Sequence, residues 1–425
     1  MPLLDPSQSP DEYYDASILL FWVIVSVAAR QDKDRELIKS LSVQVPKLLW
    51  ATVSDVPQSH IVVKAFCVIC SWPLPVSSTS SDPTFILTGI MMQIALQIGL
   101  YRPSHAQDFT RFKVELREEE LKDRVRTWAA CSAVAQRVGT GYGQPPMFVY
   151  DWALAPTNAS DEIPKLPVEV EARLLIERLS NRATKALYSN EHSLAGIDDD
   201  AHRSTMSSFL SREFRDLEQK LRHEMGASTF TMLYFYAACL HLRLSAFFAS
   251  PTSPDYQDSI LNLWFATKEF LECAFNLSTT SGSFLIYSTN YILQMVVAAG
   301  FTLLKILNSS LAVNIDIAYG RSLFTRTIYA IRSISVLAND LPARLAEVLV
   351  QLWKGWGAGQ RMPKQDDGGN DTSLQLKVRC RMSMSLVYDT VWRWREEYQA
   401  SGRGNLEGKM GKRVPSVDVN THADK

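Results

Sequence analysis

The sequence predicts an all-α fold, one large multi-helix body with no significant sheet. Three observations lead there. Apolar residues recur at intervals of three and four along most of the chain and almost nowhere alternate with period two. Helix-start signals and glycine stops cut those runs into separate segments. The 425 residues are 46% hydrophobic and 10% aromatic, with 19 Gly and 19 Pro, which supplies a sizeable core and excludes a disordered or collagen-like chain.

The elements follow in order. Ser9-Pro10-Asp11-Glu12 reads as a helix start: Ser9 caps, Pro10 takes the first helical position and Glu12 closes a capping box. The apolar run that continues to Ala29 lacks a polar face, which predicts a helix buried on all sides. Helices are expected over 33–50 and 59–72. The Pro- and Ser-rich stretch 73–83 is a loop. Asp82 then caps a new helix, Pro83 opens it and Gly99 ends it. Residues 100–113 are irregular. A charged amphipathic helix spans 114–138, with Glu118–Lys122 and Glu120–Arg124 spaced as i,i+4 pairs. Gly139-Thr140-Gly141-Tyr142-Gly143 terminates it, and the prolines from Pro145 to Pro167 mark an extended connector.

Beyond the connector, Leu175, Leu179, Ala183 and Leu187 share one helical face, as do Leu210, Phe214, Leu217 and Leu221. Further helices are expected near 228–249, 258–277, 283–308, 314–340 and 342–355. The last spans 372–400, with Leu376, Cys380, Met384, Val387, Val391, Trp394 and Tyr398 on one stripe. The chain divides into an N-terminal helical part over 1–155, a C-terminal helical part of the same body over 156–401, and a polar, disordered tail over 402–425. No repeat of fixed period is found.

No catalytic, cofactor-binding or metal-binding constellation emerges. Gly139–Gly143 resembles a phosphate loop in composition, but a helix precedes it and prolines follow, where a dinucleotide fold needs a strand and then a helix. It reads as a helix stop. Cys67 and Cys70 have CxxC spacing inside an apolar segment with no second pair at zinc-site distance, so they read as core thiols. The seven histidines show no metal-site spacing, and no GxSxG elbow is present. Asp198-Asp199-Asp200 reads as a solvated turn.

Charge is balanced, with 44 Lys plus Arg against 45 Asp plus Glu, so nothing global draws the chain to nucleic acid. Lys377, Arg379 and Arg381 form the most basic helical stretch, and Lys409, Lys412 and Arg413 are a weak nuclear-import match. Six dispersed cysteines predict buried, reduced thiols in an intracellular protein. The apolar run 16–29 is too short to span a bilayer. The run 284–307 is long enough but carries Ser288, Thr289, Asn290, Gln294 and Lys305, which predicts a buried core helix and no membrane association.

Several segments carry a resemblance. A helix ending in Ile98-Gly99-Leu100 leads into Tyr101-Arg102. A charged helix with Glu119, Glu120, Arg124, Arg126 and Trp128 follows, and then a turn at Gly143-Gln144-Pro145. In this order they resemble the middle homology region of fungal zinc-cluster transcription factors, with Gln144 where that family has arginine in a Gly-Arg-Pro turn. The segments 16–30, 71–85 and 105–109 resemble one branch, which holds the leucine-pathway regulator and the PrtT-type activator of secreted proteases. The specific resemblance covers residues 10–155.

The resemblance implies a nuclear regulatory domain controlling RNA polymerase II transcription, not an enzyme, with protease, amino-acid or secondary-metabolite genes as target classes. A small effector (a dicarboxylate in the leucine branch) or a partner would govern it, with effector residues unassigned. It implies homo- or heterodimers with a related factor. DNA would be reached only through a zinc cluster missing from this chain or carried by the partner, and zinc would belong to that cluster. The alternative is a stand-alone interaction protein that dampens a related DNA-binding factor.

Overall fold

The computed structural model describes residues 3–32, 35–111, 116–145, 165–190, 193–197, 199–280, 282, 284–357 and 373–400. The fold is all-α, with no strand among the described residues. The first six helices are α1 (Pro10–Ala16), α2 (Ile18–Ala28), α3 (Glu36–Ser54), α4 (His60–Ser71), α5 (Thr84–Gln97) and α6 (Glu118–Tyr142). They enclose an apolar core around Phe66, Met91, Leu100 and Trp128. Next come α7 (Val168–Tyr188), α8 (Asp200–Gln219), α9 (Thr229–Arg243) and α10 (Tyr256–Thr280). They are followed by α11 (Asn290–Leu307), α12 (Ile317–Ile334), α13 (Leu341–Gly357) and α14 (Ser385–Ala400). These eight build a second, larger core around Phe235, Phe247, Phe270, Phe301 and Phe324.

Helix α11 joins the two cores. It touches α4 and α6 on one side and α9, α10, α12, α13 and α14 on the other, and nearly every position is buried. This helix and Thr229–Phe248 are long and apolar enough to cross a bilayer, and both lie mostly inside the protein. The buried core helix expected over 284–307 is therefore present, preceded by a separate short turn at Phe284–Tyr287.

Where one side chain decides, the local signals hold. The Ser9–Glu12 capping box forms, with the Ser9 amide donating to Glu12 and the Glu12 amide to Ser9 Oγ. Gly99 ends α5 at φ 68°, and a Cβ there would fall 2.2 Å from the Phe109 ring, so only glycine fits.

Other expectations change. The helix over 10–29 breaks at Ser17, which is extended and caps α2 through the Leu20 amide. α2 is not buried all round: Ile18 is 48% exposed and Phe21, Trp22 and Ile24 are half-buried. It packs against α1, α3 and α4, and among the described residues nothing covers its outer face.

Helix α6 does not stop at Val138. It continues through Tyr142, and Gly143 caps it in the left-handed region at φ 61°. Inside the helix Gly141 lies against α11, and a Cβ there would fall 1.8 Å from the Gln294 side-chain amide oxygen, which would have to swing aside. The Glu118–Lys122 pair forms at 2.8 Å, but Glu120 instead accepts the Arg117 amide and Arg124 donates to the Ile98 carbonyl. Helix end groups outcompete an exposed ion pair here.

The last helix starts at Ser385, not 372. The Asp389 carboxylate accepts the Lys377 and Val378 amides and Ser385 Oγ accepts the Arg381 amide, which holds 373–381 in a non-helical path. Cys380 consequently leaves the stripe and is exposed, unlike Cys67, Cys70 and Cys131, which are buried. The proline connector over 146–164 and the tail over 402–425 lie outside the described residues, as does the Tyr398 side chain.

Candidate functional site

Four helices bring together a buried polar seam that apolar patterning alone would not build. Arg137 of α6 donates from Nε to Glu177 of α7 at 2.5 Å, and both side chains are under a tenth exposed. The guanidinium lies 4.0 Å over the Tyr234 ring of α9, which stacks at 6.2 Å with Tyr291 of α11. Burial opposes the Arg137 charge, and Glu177 and Tyr234 overcome it, so the guanidinium holds its proton more tightly than usual. Burial lifts the Glu177 carboxyl above the ordinary carboxylate range despite Arg137.

The seam continues in both directions along α7. Toward its start, Glu169 accepts the Ser228 amide and the Thr231 hydroxyl, and Ser228 caps α9 through the Thr231 amide. Toward its end, Thr184 Oγ1 lies 3.0 Å from His241 Nε2, and His241 Nδ1 lies 2.7 Å from Ser383 Oγ. The Tyr188 hydroxyl donates to the His241 carbonyl. His241 is fully buried, and burial pushes it down to about 4, so its imidazole is neutral at pH 7.

A cavity of about 300 Å³ opens at the far end of the seam. Its walls are Tyr188, the loop residues Gly196 and Ile197, Gly143 at the end of α6, and Arg379 and Met382 from the segment before α14. Two glycines make the walls possible. A Cβ on Gly143 would fall 2.1 Å from the Arg381 carbonyl oxygen. Gly196, at φ 70°, folds the loop back so that its carbonyl accepts the Asn190 amide. The volume sits at the small end of ligand pockets, which run to about 300–1,000 Å³. The lining is mixed, with one guanidinium at Arg379 and one thiol at Cys380. It suits holding a small molecule or a partner side chain. His241 lies behind this wall with both ring nitrogens engaged.

A second concavity of about 530 Å³ lies between α3 and α5, lined by Val53, Val56, Phe85, Ile86, Ile90 and Ile94. Ile86 and Val56 are each more than 60% exposed.

The residues that the sequence singled out fall elsewhere. Cys67 and Cys70 are buried in α4, where burial raises both thiols, Cys70 to about 12. Asp199 is not a loose turn residue but caps α8 through the His202 amide, and Asp200 pairs with Arg203; Asp198 lies outside the described residues. Lys377, Arg379 and Arg381 are not helical, and each lies over an aromatic ring: Trp392, Phe248 and Tyr388. Lys409, Lys412 and Arg413 lie outside the described residues. Among the described residues no cluster of three His, Cys, Asp or Glu side chains is placed to hold a metal. Sequence reasoning missed Arg137, Glu177, Tyr234 and His241, whose partners lie 40 or more positions away.

Comparison with known proteins gives likeness to regulators along nearly the whole of this chain. Regulatory protein LEU3 of Saccharomyces cerevisiae is 23% identical over 446 residues, which covers 93% of this chain and 50% of that protein. Transcriptional regulatory protein SEF1 of Candida albicans is 26% identical over 426 residues, covering 96% of this chain and 45% of that protein. The chain thus spans half or less of these relatives and is homologous to yeast transcriptional regulators. No protein-family profile and no solved structure matches it.

Proposed function

We propose that this chain is the regulatory body of a nuclear factor that controls RNA polymerase II transcription, and that it is not an enzyme. One observation carries the reading: the likeness to the two regulators runs over 93% and 96% of the chain, so the whole helical body is shared rather than a motif. DNA would be reached through a zinc cluster on another segment or on a dimeric partner. The cavity at Gly143, Tyr188 and Met382 is the effector site in this reading. An occupant there contacts the end of α6, the loop after α7 and the segment before α14 at once. A ligand that fits one packing of these three better than another shifts the population between them.

The test tethers the chain to an unrelated DNA-binding module upstream of a reporter gene. Reporter output should change with nutrient supply, and Ala195→Trp, which fills the cavity, should fix it at one level. Unchanged output with and without the tethered chain, together with exclusion from the nucleus, would refute the reading. The apolar groove between α3 and α5 favours a second reading, a dampener that pairs with a related DNA-binding factor. Capture of such a factor by the wild type, and its loss in Ile86→Lys, is the expected result. Equal capture by both proteins rejects the groove.

A further inference from the structure

Helix α12 packs chiefly on α11 and α13 and less on α10. Its outer side is uncovered among the described residues. Arg321, Ser322, Thr325, Arg326, Tyr329 and Arg332 are all exposed there, Tyr329 by 66%. No carboxylate stands in the sequence between Ile317 and Asn339. A pitch of 3.6 residues places Ser322, Thr325 and Tyr329 along the middle of that side. Arg321 and Arg332 lie about 16 Å apart along the axis, on the edge toward α13, where Arg332 reaches Glu347 at 3.5 Å. Arg326 stands on the opposite edge, 4.5 Å over the Phe275 ring of α10.

Three carboxylates border this face, and each has a partner. Asp316 caps the helix through the Tyr319 amide, Glu272 accepts the Tyr319 hydroxyl, and Glu347 accepts Gln351 besides Arg332. Arg321 and Arg326 make no ion pair among the described residues. The face is thus a row of short side chains ended by one exposed tyrosine, with guanidiniums on both edges. Arginine and tyrosine are the residues that carry much of the binding energy at protein interfaces. Guanidiniums on both edges complement a helix that carries carboxylates on either side of an apolar stripe. A nucleic-acid duplex fits less well. It presents a charge about every 1.7 Å, against three guanidiniums over about 16 Å with three carboxylates beside them, and the chain as a whole carries -1.

We infer that the outer side of α12 docks a carboxylate-rich amphipathic helix of a partner protein. Arg321, Arg326 and Arg332 pair with its acids, and Tyr329 packs on an apolar residue between them. The surface is separate from the effector cavity and from the groove between α3 and α5, and it does not rest on the transcriptional reading. The probe is a fluorescein-labelled synthetic helix of about 16 residues, long enough to span the face, with Glu along two edges and Leu between them. Its binding to the intact chain is read by anisotropy. The same helix with Gln for every Glu, and a DNA duplex of random sequence, are measured beside it.

The acidic helix should bind saturably, more weakly as salt rises, and at least about tenfold more tightly than its Gln version. Arg321→Glu with Arg332→Glu should weaken it at least about tenfold, and Tyr329→Ala should weaken it several-fold. All three positions are exposed, so the fold survives their replacement. Reversing two exposed lysines of α3, Lys39→Glu with Lys47→Glu, changes the net charge equally and should leave binding as it was. Equal binding of the Gln helix, binding that survives the arginine reversal, an equal loss on reversing the lysines, or tighter binding of the duplex each overturns the inference.

Discussion

Replacing Glu177 by Gln leaves the Arg137 guanidinium charged, nine-tenths buried and without its carboxylate. The pair can be sized in two ways. With an effective dielectric of about 20 and a charge separation of about 4 Å, the attraction is about 4 kcal/mol. Breaking a buried pair by removing one partner costs about 3–5 kcal/mol, which agrees. The Tyr234 ring, 4.0 Å from the guanidinium carbon, remains and offsets a part of it. Unfolding entropy of about 2.1 cal/mol/K per residue over roughly 400 residues is ~0.8 kcal/mol/K, so Glu177→Gln should lower Tm by about 4–6 °C if the body unfolds as one unit. The double variant Arg137→Met with Glu177→Leu removes both charges and should recover most of the loss. Thermal melts followed by far-ultraviolet circular dichroism and by tryptophan emission measure both. A shift of less than about 1 °C in Glu177→Gln would refute the reasoning, because water would then be screening the pair. So would a double variant no more stable than the single.

Two titrating groups give further expectations. His241 is held at about 4 in the fold against 6.5 when unfolded. The unfolded chain therefore binds the extra proton between those values, and stability is full above pH 6.5 and falls by about 3 kcal/mol toward pH 4. His241→Gln should flatten that part of a Tm-against-pH curve, and an identical slope in both proteins would contradict it. Lys305 is buried 3.5 Å from Asp389 and is lowered to about 8 from 10.5, burial being the main cause. Its charge thus costs stability below pH 8, and wild-type stability should rise between pH 8 and 10.5. Asp389 keeps the Lys377 and Val378 amides and Arg393, so Lys305→Met should be more stable than wild type at pH 7 by up to about 3 kcal/mol. Urea unfolding at pH 7 decides it, and a less stable variant disproves the argument.

Legibility in the sequence followed the range of the deciding interaction. The all-α body, the Ser9 cap, the Gly99 stop and the buried α11 are written within a few neighbouring residues. The breaks came where a distant group intervened. Asp389 captures the amides of Lys377 and Val378 and delays the last helix to Ser385, although the 3.6-residue stripe runs straight through 376–384. Gly141 packs against Gln294 of α11, and α6 runs on past the glycines to Tyr142. The seam was least legible of all. Arg137, Glu177 and His241 look like surface residues in sequence, because a buried polar side chain has the same chemistry as an exposed one until its partner is placed. Those partners sit 40, 57 and 142 positions apart.

The position of α11 between the two cores also bears on how the chain is made. The face of α6 that carries Gly141 and Tyr142 meets Gln294, Tyr291 and Asn290, the last donating to the Tyr142 hydroxyl at 3.0 Å. These residues leave the ribosome roughly 150 positions later, and at about 5–20 residues per second the delay is about 8–30 s. During that interval one flank of α6 lacks its native partners, and the N-terminal core also waits for Val336, which packs into it from beyond α12. A nascent chain halted before α11 therefore exposes the α6 face that Asn290, Tyr291 and Gln294 later cover.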